Sequence, residues 1–173
     1  TDYVDLYLVH WPIQKSLAST WRAMEELYVS GKAKAIGVCN FSIAHLRALT
    51  QTAKIPPMVN QIEFHPRLQS RDLVDFCQSQ GILVQAWAPI MRGGVNTIAA
   101  LERVAEKHDT TPAAVTLAWI RNKGVMALPK SQNQVRMKEN FESLQYSLRL
   151  FHLLQAQLDT REPLDEGRGL LLL

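Results

Sequence analysis

Residues 125–140, VMALPKSQNQVRMKEN, open with four mostly apolar residues that Pro129 stops. Lys130 and Ser131 then lead into a polar segment carrying Arg136, Glu139 and Asn140 at helical spacing. This is the pattern of a buried strand feeding a helix. At such a junction the strand end delivers an ammonium and a hydroxyl where helix N–H groups still lack intrahelical partners. A guanidinium and an ammonium suit a phosphate, and Asn140 and Glu139 offer the donor and acceptor types that suit an adenine edge. A phosphorylated adenosine would fit this corner, but so would an ordinary solvated helix face with a stray basic pair. The rest of the chain has to decide.

Upstream, the same strand-then-helix unit recurs. Residues 4–9 form a short apolar run ending at His10, Trp11 and Pro12, followed by a helix over 17–29 with Gly31 as its stop. Residues 33–38 make a second strand closed by Cys39, Asn40, Phe41 and Ser42, with Ser42 an N-cap for a helix over 43–53. A third strand, 58–62, ends in Glu63, Phe64, His65 and Pro66; Ser70 caps a helix running to Gln80, and Gly81 ends it. The fourth strand covers 82–87. A glycine-bearing loop at 91–94 leads to a helix around 97–108 and another over 111–123 that opens with Pro112. Gly124 then admits the fifth strand.

Five apolar strands, each followed by a helix and none by a hairpin signal, specify a parallel sheet built from right-handed crossover units. Periodicity alone leaves two architectures open, a doubly wound sheet and a stretch of a (β/α)8 barrel. In a barrel the polar or aromatic strand ends would converge on one face, whereas in an open sheet only those nearest a switch point would meet. No glycine-rich dinucleotide fingerprint follows any strand, which favours the barrel.

Composition narrows the class. The chain has 173 residues, 47% hydrophobic and 20% charged, enough to bury a sizeable core. A net charge of +3 with scattered basic residues does not make a nucleic-acid stripe. Cys39 and Cys77 lack metal-ligand spacing and sit in segments that read as core or strand end, which fits a reducing, cytoplasmic setting. No apolar run reaches membrane-spanning length. The chain begins at Thr1, with a strand almost at once, so it is expected to start within a domain.

Taken together, DYVDLYLVHWP, GKAKAIGVCNFS, VNQIEFHP, QAWAPI and ALPKSQNQVRMKEN, in that order and at those separations, resemble the second half of an aldo-keto reductase. The likeness spans residues 1–142 and is nearest to bacterial-type diketogluconate and glyoxal or methylglyoxal reductases. It implies an α/β fold, a (β/α)8 TIM barrel of which this chain carries about five βα units, strands 4 to 8. Residues 1–173 would form a single incomplete barrel domain, with 143–173 a divergent C-terminal helix and tail. It also implies an NADPH-dependent oxidoreductase that reduces aldehyde or ketone groups of small substrates, monomeric at full length and without nucleic-acid or membrane partners.

By this resemblance His10 is the active-site histidine that donates a hydrogen bond to the substrate carbonyl, and Trp11 is a wall of the substrate pocket. Asn40 and Gln61 would hold the nicotinamide carboxamide, and Trp87 would stack on the nicotinamide ring. Lys130, Ser131 and Arg136 would clamp the phosphate on the adenosine ribose, and Glu139 and Asn140 the adenine, which implies NADPH over NADH. His65, Glu63 and Pro66 read as structural. Cys39 and Ala88 replace serines usual in the family, removing two hydroxyl donors from the cofactor channel. The family's proton-donating tyrosine, with its aspartate and lysine, belongs to strands expected before Thr1, and Tyr3 and Tyr7 do not substitute. The alternative is therefore a truncated or regulatory NADPH-binding relative with little or no catalytic activity. Residues 148–158 could be the family's final helix, and the Leu170 to Leu173 run has no counterpart.

Overall fold

In the computed structural model, which describes residues 1–146, five strands run parallel in chain order. They are β1 (Tyr7–Val9), β2 (Ile36–Cys39), β3 (Val59–Glu63), β4 (Leu83–Trp87) and β5 (Val125–Ala127). The helices are α1 (Leu17–Val29), α2 (Ile43–Thr50), α3 (Arg71–Ser79), α4 (Ala99–Lys107), α5 (Pro112–Asn122) and α6 (Gln134–Glu142). Each neighbouring pair of strands is joined through helix, as parallel pairing of consecutive strands requires. The α/β expectation therefore holds, with several bounds moved. Val4 joins Ala33 only through an isolated bridge, so β1 is shorter than the apolar run. Helix α2 stops at Thr50, where the Thr52 and Ala53 N–H groups both turn back to the Leu49 carbonyl. The expected helix over 148–158 and the terminal leucine run lie outside the described residues.

Two expected caps have opposite outcomes. Ser42 accepts from the His45 N–H while the His45 ring accepts from the Ser42 N–H, a reciprocal capping box that starts α2. Ser70 does not cap α3 by its side chain. Its backbone is left-handed, at φ 39°, in place of the extended conformation from which a capping hydroxyl reaches the helix amides.

The chain divides into two compact units, the first made of Thr1–Glu63, Ser70–Trp87 and Gly124–Leu128. It holds the whole sheet with α1, α2 and α3. Register sets Val38, Asn60, Val84 and Val125 side by side on one sheet face, and all four are buried. With Ile36, Ile62 and Ala86 they form a core that also includes Trp21, Met24, Leu46, Leu49, Val74 and Cys77 from the three helices. The opposite face carries Gly37, Val59 and Leu83 in one row and Cys39, Gln61, Gln85 and Met126 in the next. Leu83 is 60% exposed and Met126 52%. Strand β5 is thus buried at Val125 but not at Met126, which corrects its reading as a buried strand. The two-residue alternation puts Met126 on the face opposite Val125, and β5 is the last strand of the sheet among the described residues, pairing with β4 alone, whereas the buried Gln85 has a strand on each side.

The second unit comprises Phe64–Gln69, Ala88–Lys123 and the chain from Pro129 onward. Helices α4 and α5 pack together over Leu101, Val104, Val115, Trp119 and Ile120, and the Phe64 ring stacks on Trp119 at 5.4 Å and 14°. Thr111 caps α5 by accepting from the Ala114 N–H, with Pro112 at its first position as expected. The loop expected at 91–94 belongs to a kinked 3-10 stretch, Met91–Thr97, with Arg92 at φ 54° and Gly93 at φ 97°. The Arg121 guanidinium ties the end of the described chain down, donating to the carbonyls of Leu144 and Tyr146.

Candidate cofactor and substrate site

Asn40 is the hub of the strand ends. It follows β2 directly and sits at φ 62°, a left-handed conformation that asparagine tolerates better than most residues. Its backbone N–H donates to the Gln61 carbonyl at 2.9 Å. Its side-chain Oδ1 accepts from the Trp87 indole Nε1 at 2.9 Å, and its Nδ2 donates to the His10 carbonyl at 3.1 Å. An indole N–H can only donate and a backbone carbonyl can only accept, so these two partners settle which end of the amide is which. One residue thereby ties together β1, β3 and β4 at their C-terminal ends. Four residues singled out in the sequence, His10, Asn40, Gln61 and Trp87, belong to one hydrogen-bonded set.

Gln61 is half-buried on the face of β3 opposite Asn60 and donates through Nε2 to Gln85 Oε1 at 3.0 Å. Gln85 in turn donates through Nε2 to the Met126 thioether at 3.4 Å. Beside Gln61, Asn60 points to the covered face and is fully buried. Its amide accepts from the Phe41 N–H at 3.4 Å and donates to the Phe41 carbonyl at 2.9 Å, gripping the backbone directly after Asn40. Sequence reading missed Asn60 and Gln85. Their signal was a carboxamide inside an otherwise apolar strand, where an unpaired polar group would be costly.

His10 and Trp11 lie on the exit loop of β1, both exposed, Trp11 to 54%. Their rings are 5.9 Å apart and inclined at 51°. The imidazole is open to an incoming group, and Trp11 offers apolar surface beside it. Cys39, immediately before Asn40, is 5% exposed, and burial pushes its thiol up from the usual value of 9.0. It is a neutral group at pH 7.

The second set of residues lies in the other unit. Ser131 accepts from the Asn133 N–H at 3.1 Å and its hydroxyl reaches back to the Asn133 carbonyl at 3.4 Å. Asn133 caps α6 by accepting from the Arg136 N–H at 3.1 Å. The first turn of α6 is thus less open than its sequence suggested, because a residue not singled out there takes one amide; those of Gln134 and Val135 have no partner among the described residues. Lys130 and Arg136 are exposed and have no carboxylate partner among the described residues. Glu139 and Asn140 are half-buried on the helix, Asn140 four residues beyond Arg136 and so on the same face. Cations with no carboxylate partner among the described residues suit an anion, and a carboxylate and a carboxamide on the same helix as Arg136 offer the acceptor and donor types that suit a heterocycle edge.

The family model described as "Aldo/keto reductase family" matches residues 1–151. The chain belongs to the aldo/keto reductase family, whose fold is a (β/α)8 barrel, and its five consecutive parallel strands are a stretch of that sheet. Among its relatives are the glyoxal reductase of Bacillus subtilis, 47% identical over 147 residues, covering 85% of this chain and 53% of that protein. The methylglyoxal reductase DkgA of Escherichia coli is 35% identical over 173 residues, covering 98% and 61%. The chain thus spans little more than half the length of the first of these curated relatives. Among solved structures, an aldo/keto reductase from Brucella melitensis superposes with a TM-score of 0.84 at 37% identity, over 92% of this chain and 62% of that one. A mutant of Gox0644 solved in complex with NADPH gives a TM-score of 0.85 at 36% identity, over 93% and 62%.

Proposed function

We propose that this chain provides the carbonyl-orienting and cofactor-holding residues of an NADPH-dependent oxidoreductase acting on aldehyde or ketone groups of small substrates. The observation that carries the reading is the Asn40 hub, which joins the indole of Trp87 to the loop bearing His10. Trp87 would lie against one face of the nicotinamide, leaving the other face to the substrate. Asn40 and Gln61 each retain donor or acceptor capacity for the carboxamide. Lys130, Ser131 and Arg136 would hold the phosphate on the adenosine ribose, with Glu139 and Asn140 at the adenine. When bound, the cofactor would supply a hydride. His10 would hold the carbonyl oxygen by a hydrogen bond, turning the carbonyl carbon towards that hydride and stabilising the charge that grows on oxygen. Relatives named as glyoxal and methylglyoxal reductases support a short, doubly oxygenated substrate.

The test uses His10→Ala in the natural full-length protein. NADPH affinity, read by quenching of tryptophan fluorescence, should stay within about twofold, while kcat/KM for methylglyoxal falls about 100-fold, the usual range for one positioned hydrogen-bonding group. Unchanged turnover in a variant that still binds NADPH would remove His10 from the reaction.

A further inference from the structure

The row Gln61, Gln85, Met126 has a chemical direction. A carboxamide can be turned end for end at no covalent cost, so its orientation is decided by what it faces. Met126 Sδ carries no proton and can only accept. The end of Gln85 that faces it, at 3.4 Å, is therefore Nε2. That leaves Gln85 Oε1 turned towards Gln61, whose Nε2 donates to it at 3.0 Å. The end of Gln61 left without a protein partner among the described residues is Oε1. The three residues are register partners on adjacent strands, and Gln85 is only 8% exposed, so its amide has little access to water and is oriented by these two neighbours.

We propose that Met126 and Gln85 are positioning residues that set the polarity of Gln61, so that a bound nicotinamide carboxamide meets an oxygen acceptor and offers its N–H2 to it. This rests on the reading above that Gln61 holds the carboxamide. A donor in place of the thioether would run the row backwards. Gln85 would turn its oxygen to the new donor and its nitrogen to Gln61, and Gln61 would then show nitrogen to the ligand.

The experiment compares the dissociation constants of NADPH and its 3-acetylpyridine analogue, which has a methyl ketone in place of the carboxamide and so no N–H2. One net hydrogen bond makes NADPH the tighter ligand by about fivefold in the natural full-length protein. In Met126→Lys the preference should fall to about onefold or invert. Met126 is half exposed, so the lysine can be accommodated. Gln85→Glu keeps an acceptor towards Gln61 and should keep the preference, although its charge shifts both constants; it supplies a second reading if the lysine variant does not fold. A purely structural role would raise both constants by one factor, and an unmoved ratio in folded Met126→Lys overturns the proposal, as does a lost ratio in folded Gln85→Glu. Gln61→Leu separates the two levels. If the preference survives there, or if the unsubstituted protein does not bind NADPH, the assignment of Gln61 to the carboxamide is itself wrong.

Discussion

Replacing Asn40 tests whether the strand ends are held together as described. Asn40→Gly removes a half-buried bond to Trp87 and an exposed bond to the His10 carbonyl, worth about 1 and about 0.5 kcal/mol net. Glycine accepts the left-handed φ of 62° without strain, so the expected loss of folding stability is about 1.5 kcal/mol. Asn40→Ala loses the same two bonds and adds the cost of a β-carbon in that conformation, about 1 kcal/mol more, for a total of about 2.5. Asn40→Asp keeps the acceptor for the indole but sets a carboxylate oxygen against the His10 carbonyl, and should resemble glycine. Urea unfolding followed by both tryptophan fluorescence and far-ultraviolet circular dichroism measures the series, and each kcal/mol should move Tm by about 2–4 °C. NADPH affinity should fall in all three variants. Equal stabilities for the alanine and glycine variants would show that the backbone conformation is not the constraint described. An undisturbed glycine variant would show that the side-chain bonds hold nothing.

Three further outcomes are expected. In Gly37→Ala the new methyl would sit 2.6 Å from the Val59 carbonyl oxygen and 2.8 Å from Leu8 Cδ2, so β1, β2 and β3 must separate; a loss of about 3 kcal/mol in urea unfolding is expected, and a loss under about 1 kcal/mol would contradict the close approach. Lys130→Ala and Arg136→Ala should each weaken NADPH binding about tenfold while barely changing NADH binding, measured by fluorescence titration; equal weakening of both cofactors would take the phosphate away from this corner. Burial raises the thiol pKa of Cys39 and Cys77 above 9.0, so the folded state holds their protons longer than the unfolded chain does. Their contribution is complete below pH 9 and is lost as pH rises through the folded-state values, so urea midpoints at pH 9.5 should drop relative to pH 7.5, and by less in Cys77→Ala.

Most of the architecture was legible because strands and helices announce themselves locally. Leu17–Val29 coincides with the helix expected over 17–29 and its stop at Gly31, and Ser42 signals the start of α2 because its serine oxygen stands three residues before a usable partner, His45. Ser70 has the same chemistry and fails as a side-chain cap, since what decides is a backbone angle that the chain around it imposes. Residues such as His10, Asn40, Gln61 and Trp87 were accessible through ordered motifs at strand ends. Asn133 lies in the polar run from Lys130 to Gln134, where no apolar periodicity marks the first turn of α6, although an asparagine before a helix is an N-cap signal in its own right.

Gln85 and Met126 escaped for a deeper reason. Nothing within strand β4 says what stands beside Gln85; that is a property of register, which pairs Gln61 with Gln85 and Gln85 with Met126. A slip of β4 by one residue against β3 would set Val84 or Ala86 beside Gln61 and turn Gln85 to the covered face, where an unpaired amide would oppose the pairing. The polar row and the apolar core are therefore two consequences of one alternation. Whatever holds Val38, Asn60, Val84 and Val125 in line beneath the helices also holds Cys39, Gln61, Gln85 and Met126 in line above, one residue on. A substitution in the core that shifts a strand should accordingly disturb the chemistry of the site without touching any residue in it.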